Sequence, residues 1–180
     1  MFVKEKEGIE EYVLQENGLR VLLKQDRSAP VTAVMISYGA GSRYEREGRT
    51  GAAHLLEHMM FKGTERYHKS LGTSVPEMIE SAGGVLNAYT GPDGASFYVM
   101  LPSDRIPLAL DIEADRMRNL RWDEDEYLRE RSVVENELER YFDSPAVSLN
   151  TALWAEAYRR HPYRHPVIGW REDVSQMPMA

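Results

Sequence analysis

The sequence predicts an α+β fold: a mixed, mostly antiparallel sheet packed against helices. Three observations lead there. Asn17-Gly18 sits between two β-prone runs, a strong hairpin signal. Two later β-rich runs flank the turn cluster Gly91-Pro92-Asp93-Gly94. Stretches of helical periodicity follow and interleave with these strands.

Taken in order, residues 11–15 and 19–24 form the early hairpin, and residues 31–38 (VTAVMISY) read as a buried strand bounded by Pro30. Gly39-Ala40-Gly41-Ser42 breaks that strand, and the charged residues 43–49 lead as a loop into a helix capped near Thr50 and ended at Gly63. Residues 65–75 are polar and read as irregular. Pro76 opens a short amphipathic helix through Met78, Ile79 and Ala82, closed by Gly83-Gly84. Residues 85–90 and 95–101 are the second pair of strands. Residues 106–120 are helical, with Leu108, Ile112 and Met117 as apolar positions. A longer helix starts with Asp123 as its cap and extends toward Tyr158, with a break near Pro145; two prolines make 161–166 a loop. Trp122, Trp154 and Trp170 read as packing positions.

Composition bounds the function. With 180 residues, 42% hydrophobic and 28% charged, the chain reads as one globular domain, 1–180. No apolar run approaches a membrane span, and the charged start lacks the core of a signal peptide, so a cytoplasmic location is expected. A net charge of −7 speaks against nucleic acid and anionic membranes as partners. The absence of cysteine leaves histidine and carboxylate as the only protein ligands for a zinc ion.

The chemistry concentrates in His54-Leu55-Leu56-Glu57-His58. On a helix His54 and His58 are i and i+4, so both imidazoles leave one face and can hold one Zn²⁺. Glu57 lies beside that face without having to be a ligand, and can take a proton from a water activated there. The order H-x-x-E-H is the inverzincin pattern. A solvated polar face could carry the same residues. The apolar flanks, Gly51-Ala52-Ala53 and Met59-Met60-Phe61, favour a buried helix whose polar side chains need partners.

A third ligand is sought on the long helix. Tyr127, Val134, Leu138 and Tyr141 form an apolar stripe into which Glu130 and Glu137 fall, two turns apart, whereas Glu135 faces Arg131, Ser132 and Glu139. Glu137 is therefore the expected third ligand and Glu130 an auxiliary carboxylate. The alternative is an acidic solvated face paired with Arg129, Arg131 and Arg140. His68 reads as an exposed loop residue, and His161 and His165 as structural.

These residues resemble the pitrilysin family of zinc metallopeptidases, which includes insulin-degrading enzyme and the mitochondrial processing peptidase. The resemblance spans about residues 15–178 through four ordered motifs: HLLEHMMFKGT at 54–64, Asn87-Ala88-Tyr89-Thr90 with Tyr98, Glu130 to Val134 with Glu137, and His161-Pro162-Tyr163 with Pro166 to Gly169. It implies peptide-bond hydrolysis, with Zn²⁺ on His54, His58 and Glu137, the metal site lying between the motif helix and the long later helix. Glu57 is the general base, Glu130 an auxiliary catalytic carboxylate, and Asn87, Ala88 and Tyr89 a substrate-binding strand for an extended peptide. The interval between His58 and Glu137 is slightly longer than the family pattern, with 65–75 as the place for the extra residues. The family usually carries two homologous halves, and this chain resembles the first, short of its last strand and helices. A peptide substrate and either a homo-oligomer or a complementary second-half chain are thus the expected partners. The rival reading is a non-catalytic zinc-binding or scaffold half; the intact H-x-x-E-H favours the enzyme.

Overall fold

A computed structural model describes residues 1–179 and divides the chain into two compact units, residues 1–31 and the remainder. The first is a three-stranded antiparallel sheet, β1 (Phe2–Lys6), β2 (Ile9–Val13) and β3 (Arg20–Lys24), in the order β1-β2-β3. The Asn17-Gly18 hairpin joins β2 to β3 with Tyr12 opposite Val21, and Gly18 adopts the positive φ of 74° that the turn requires. Strand β1 was not expected: the charged start pairs along β2, and the buried carboxylate of Glu11 gathers Lys4 and Arg20.

In the second unit β4 (Val31–Tyr38), β6 (Ala95–Pro102) and β5 (Val85–Thr90) form a sheet in the order β4-β6-β5, with β5 antiparallel to β6. Strand β5 is therefore an edge. Its pattern alternates, with Val85, Asn87 and Tyr89 exposed; β6, in the middle, is buried at five of its eight positions. The described residues also form six α-helices: α1 (Ala52–Met60), α2 (Val75–Ser81), α3 (Ile106–Asn119), α4 (Glu124–Phe142), α5 (Pro145–Ala157) and α6 (Arg171–Gln176). Asp123 caps α4 through the Glu126 amide, and Pro145 at the start of α5 separates the two long helices. Helix α6 carried no clear sequence signal.

Of three apolar clusters among the described residues, two join the helices that position the site. Val75, Ile79, Val99, Leu101, Ala109 and Ile112 join α2 and α3 to the sheet. Leu55, Met59, Tyr127, Val134, Leu138 and Val174 join α1, α4 and α6. This second cluster brings the motif helix against the long helix.

Several expectations are corrected. Helix α1 is not buried all round: Leu55, Met59 and Met60 are inside, but Leu56 is exposed. Met117, Trp122 and Tyr141 are exposed rather than packed, and Trp154, though partly exposed, stacks on Tyr158. Residues 65–75 are irregular, as expected, with a single 3-10 turn at Lys69–Leu71, but they are held by hydrogen bonds. Thr64 donates to Asp115 and accepts from the amides of Arg66 and Tyr67, and Tyr67 is buried with its hydroxyl on Asp111. His68 is buried, capping the turn at Ser70 with Nε2 3.3 Å from Glu126, because the segment folds back onto α4.

Candidate metal centre

Helix α1 presents His54 and His58 one turn apart, rings at 4.8 Å. Across from them α4 presents Glu130 and Glu137. The Leu55/Met59 face of α1 packs on the Val134/Leu138 face of α4, which turns the polar side chains of the two helices toward one another. Glu137 Oε2 lies 3.5 Å from His58 Nε2 and 3.9 Å from His54 Nε2. One ligand atom from each of His54, His58 and Glu137 falls within 4.8 Å of the others.

Such spacing suits a cation with N and O donors, since tetrahedral ligands about 2 Å from zinc sit three to four ångströms from each other. Glu137 Oε2 is buried and accepts no hydrogen bond, although the rest of its side chain is 45% exposed, less enclosed than its stripe position implied. An orphaned carboxylate oxygen facing two imidazole nitrogens is costly without a shared partner. A divalent metal fits all three donors.

The two rings are shifted in opposite directions. Burial, then the neighbouring His58, pulls the His54 pKa below its ordinary value, which favours the neutral ring. The His58 pKa is raised, chiefly because Nδ1–H donates to Glu130 Oε2 at 3.3 Å. That bond leaves Nε2 of His58 facing Glu137. Burial would raise the pKa of Glu130, but the bonds from His58 and from Lys62 Nζ, at 2.5 Å, outweigh it and hold the carboxyl ionised. The predicted arginine partners are engaged elsewhere: Arg129 and Arg140 bond backbone carbonyls, and Arg131 lies beside Glu135 and Met177.

Glu57 stands on the adjacent flank of α1, where it accepts a 2.5 Å hydrogen bond from Thr90 Oγ1 at the end of β5. Thr90 was quoted only as part of a strand motif; nothing local ties it to residue 57. Asn87 and Tyr89 are exposed on the same edge strand, and Ala88 is half-buried. Asn87 lies opposite Tyr98. A cavity of about 640 Å³ borders Leu56, Glu57 and Met60. His161 and His165 flank a turn at Pro162–Arg164 and do not join the cluster.

The sequence matches the family model described as Insulinase (Peptidase family M16) over residues 20–170. The chain belongs to this family. Among its M16 relatives, a probable mitochondrial-processing peptidase subunit beta of Arabidopsis thaliana is 34% identical over 89% of this chain and 30% of its own length. An uncharacterised zinc protease of Bacillus subtilis is 32% identical over 93% of this chain and 40% of its own. The crystal structure of a protease from Helicobacter pylori superposes with a TM-score of 0.85 at 33% identity, covering 94% of this chain and 40% of that one. The chain thus spans between 30% and 40% of these M16 relatives.

Proposed function

We propose that this chain carries the metal-binding and proton-transfer machinery of a zinc-dependent metalloendopeptidase acting on peptides or small unfolded polypeptides. The observation that carries the reading is the convergence of His54, His58 and the orphaned Glu137 oxygen beside Glu57.

His54, His58 and Glu137 would hold the ion. Bound there, zinc supplies Lewis acidity, which polarises a carbonyl and brings the pKa of water toward neutrality. Glu57, oriented by Thr90, takes the proton of the attacking water and returns it to the leaving amine. Glu130 receives Nδ1–H of His58, which keeps Nε2 free and aimed at the ion, while Lys62 holds Glu130 charged. The free edge of β5 at Asn87, Ala88 and Tyr89 can add an extended peptide as a further strand.

A complementary half, from a second copy or a different chain, completes the peptide-binding chamber in this reading. Helix α5 supports it, leaving Leu149 and Leu153 at 72% and 63% exposure. Sedimentation of a monodisperse monomer would remove the self-association branch.

The test pairs zinc content with cleavage of a quenched fluorescent peptide. Wild type and Glu57→Gln are expected to hold equal zinc, with cleavage in the variant lower by about 10²–10⁴. Zinc without cleavage in either protein favours a metal-binding half that needs its partner. No zinc in the wild type overturns the ligand set.

A further inference from the structure

Helix α1 begins in an unusual way. Its cap is Gly51, in the left-handed region with φ of 90°, and offers no side chain to the first amides. The space is closed: a Cβ there would come within 2.6 Å of the Ile168 carbonyl oxygen. Serine, threonine or aspartate, the ordinary caps, are thereby excluded.

The missing acceptor arrives from outside the helix. Glu45 takes the Gly51 amide on Oε2 at 2.8 Å and the Ala53 amide on Oε1 at 2.7 Å. One residue upstream, Asp173 of α6 accepts both the amide and the hydroxyl of Thr50 through Oδ2, at 3.1 and 2.6 Å, and Thr50 Oγ1 accepts the Trp170 amide. The Glu45 side chain is 5% exposed, with His165 Nδ1 3.7 Å away. Burying a carboxylate is a costly way to cap a helix, so its benefit is sought in what it connects. The turn Ser42–Tyr44 just before Glu45 is itself fastened to the β5–β6 turn, Ser42 N to Gly91 O at 3.2 Å and Arg43 N to Pro92 O at 2.9 Å. Thr90, which holds Glu57, immediately precedes that turn.

We propose that Glu45 is a positioning residue for the metal helix: its bidentate carboxylate ties the start of α1 to the β5–β6 turn and so sets His54, Glu57 and His58 against Glu137 and Thr90. This rests on the reading of α1 as the metal helix. Glu45 touches neither ion nor substrate; it acts through the helix.

The experiment compares the full chain with Glu45→Ala, Glu45→Gln and the remote control Ile112→Val. Zinc affinity is read by competition with a chromophoric chelator, and amide exchange is followed in the metal-free protein. Glu45→Ala is expected to bind zinc at least about tenfold more weakly. Its Ala53 amide should exchange faster by a similar factor, with α4 unchanged. Glu45→Gln, which keeps one oxygen acceptor, should recover affinity to within about threefold of wild type. Ile112→Val should lower Tm without moving affinity. Should Glu45→Ala not fold, Glu45→Asp, its carboxyl retracted by one methylene, carries the same expectation at a smaller size. Zinc affinity and exchange both unchanged overturn the proposal, as does an affinity loss that Ile112→Val reproduces. A wild type that binds no zinc overturns the metal reading and this role with it; zinc bound equally by wild type and Glu45→Ala overturns this role alone.

Discussion

Glu130 is the residue whose role is easiest to mistake, because it sits on the same stripe as Glu137 and is the more enclosed of the two. Its oxygens are taken by His58 and Lys62, so in the proposed centre it would hold a ligand rather than be one. Glu130→Gln should therefore retain zinc with affinity about 10–100-fold weaker, whereas Glu137→Gln should bind it weaker still; competition titration separates the two. The histidine and glutamate motif was legible in the sequence because helix geometry makes neighbours of i and i+4. Thr90 and Glu45 were not, since each acts across a gap that only the tertiary fold closes. A glycine where α1 needs a cap was the one available hint.

At the scale of elements, α1 and α4 form a single device. Leu138 is 1% exposed, one residue beyond Glu137, and packs with Val134 against Leu55 and Met59. Leu138→Ala should cost about 2–5 kcal/mol in urea unfolding of the metal-free protein, and should weaken zinc as the helices shift. Helix periodicity placed Glu130 and Glu137 correctly with respect to Val134. It misjudged Tyr141, which is exposed while its neighbour Phe142 packs against the cluster. The 65–75 segment is irregular as the sequence suggested, but its anchoring was not legible. Its polar residues satisfy one another and α3, through Thr64, Arg66 and Tyr67 on Asp111 and Asp115, so polarity there marks a hydrogen-bonded knot rather than a loose loop. Thr64→Val, which removes the donor to Asp115 Oδ2 and the acceptor of two amides, should cost about 1–3 kcal/mol by the same measurement.

For the molecule as a whole, stability should depend on metal and on pH. A chelator should lower Tm, with a loss of about 3–4 kcal/mol if zinc had been present at several hundred times its Kd. Burial lifts the pKa of Glu45 to about 7, against the pull of the Gly51 and Ala53 amides and with the Asp173 charge adding to the rise. His165, also facing it, is lowered by its own burial. A raised carboxyl pKa means that the folded protein keeps a proton the unfolded chain has already released. Glu45 therefore contributes most below about pH 4.5 and loses that contribution as pH rises toward 7. Metal-free wild type should fall in stability relative to Glu45→Gln across that window, by on the order of 2 kcal/mol. An opposite slope would exclude the assignment. Among the described residues no helix is long and apolar enough to cross a membrane.

The bonds from Thr50 to Asp173 join groups 123 positions apart in sequence. Closing so long a loop is slow compared with winding a short helix. During synthesis α1 and its Glu45 cap emerge early, yet Thr50, just ahead of the helix, cannot meet Asp173 until α6 has left the ribosome. In the proposed metal centre, full zinc affinity would then arrive only with the end of this segment's translation. Nascent chains halted before Asp173 should hold the ion far more weakly than those halted well beyond it.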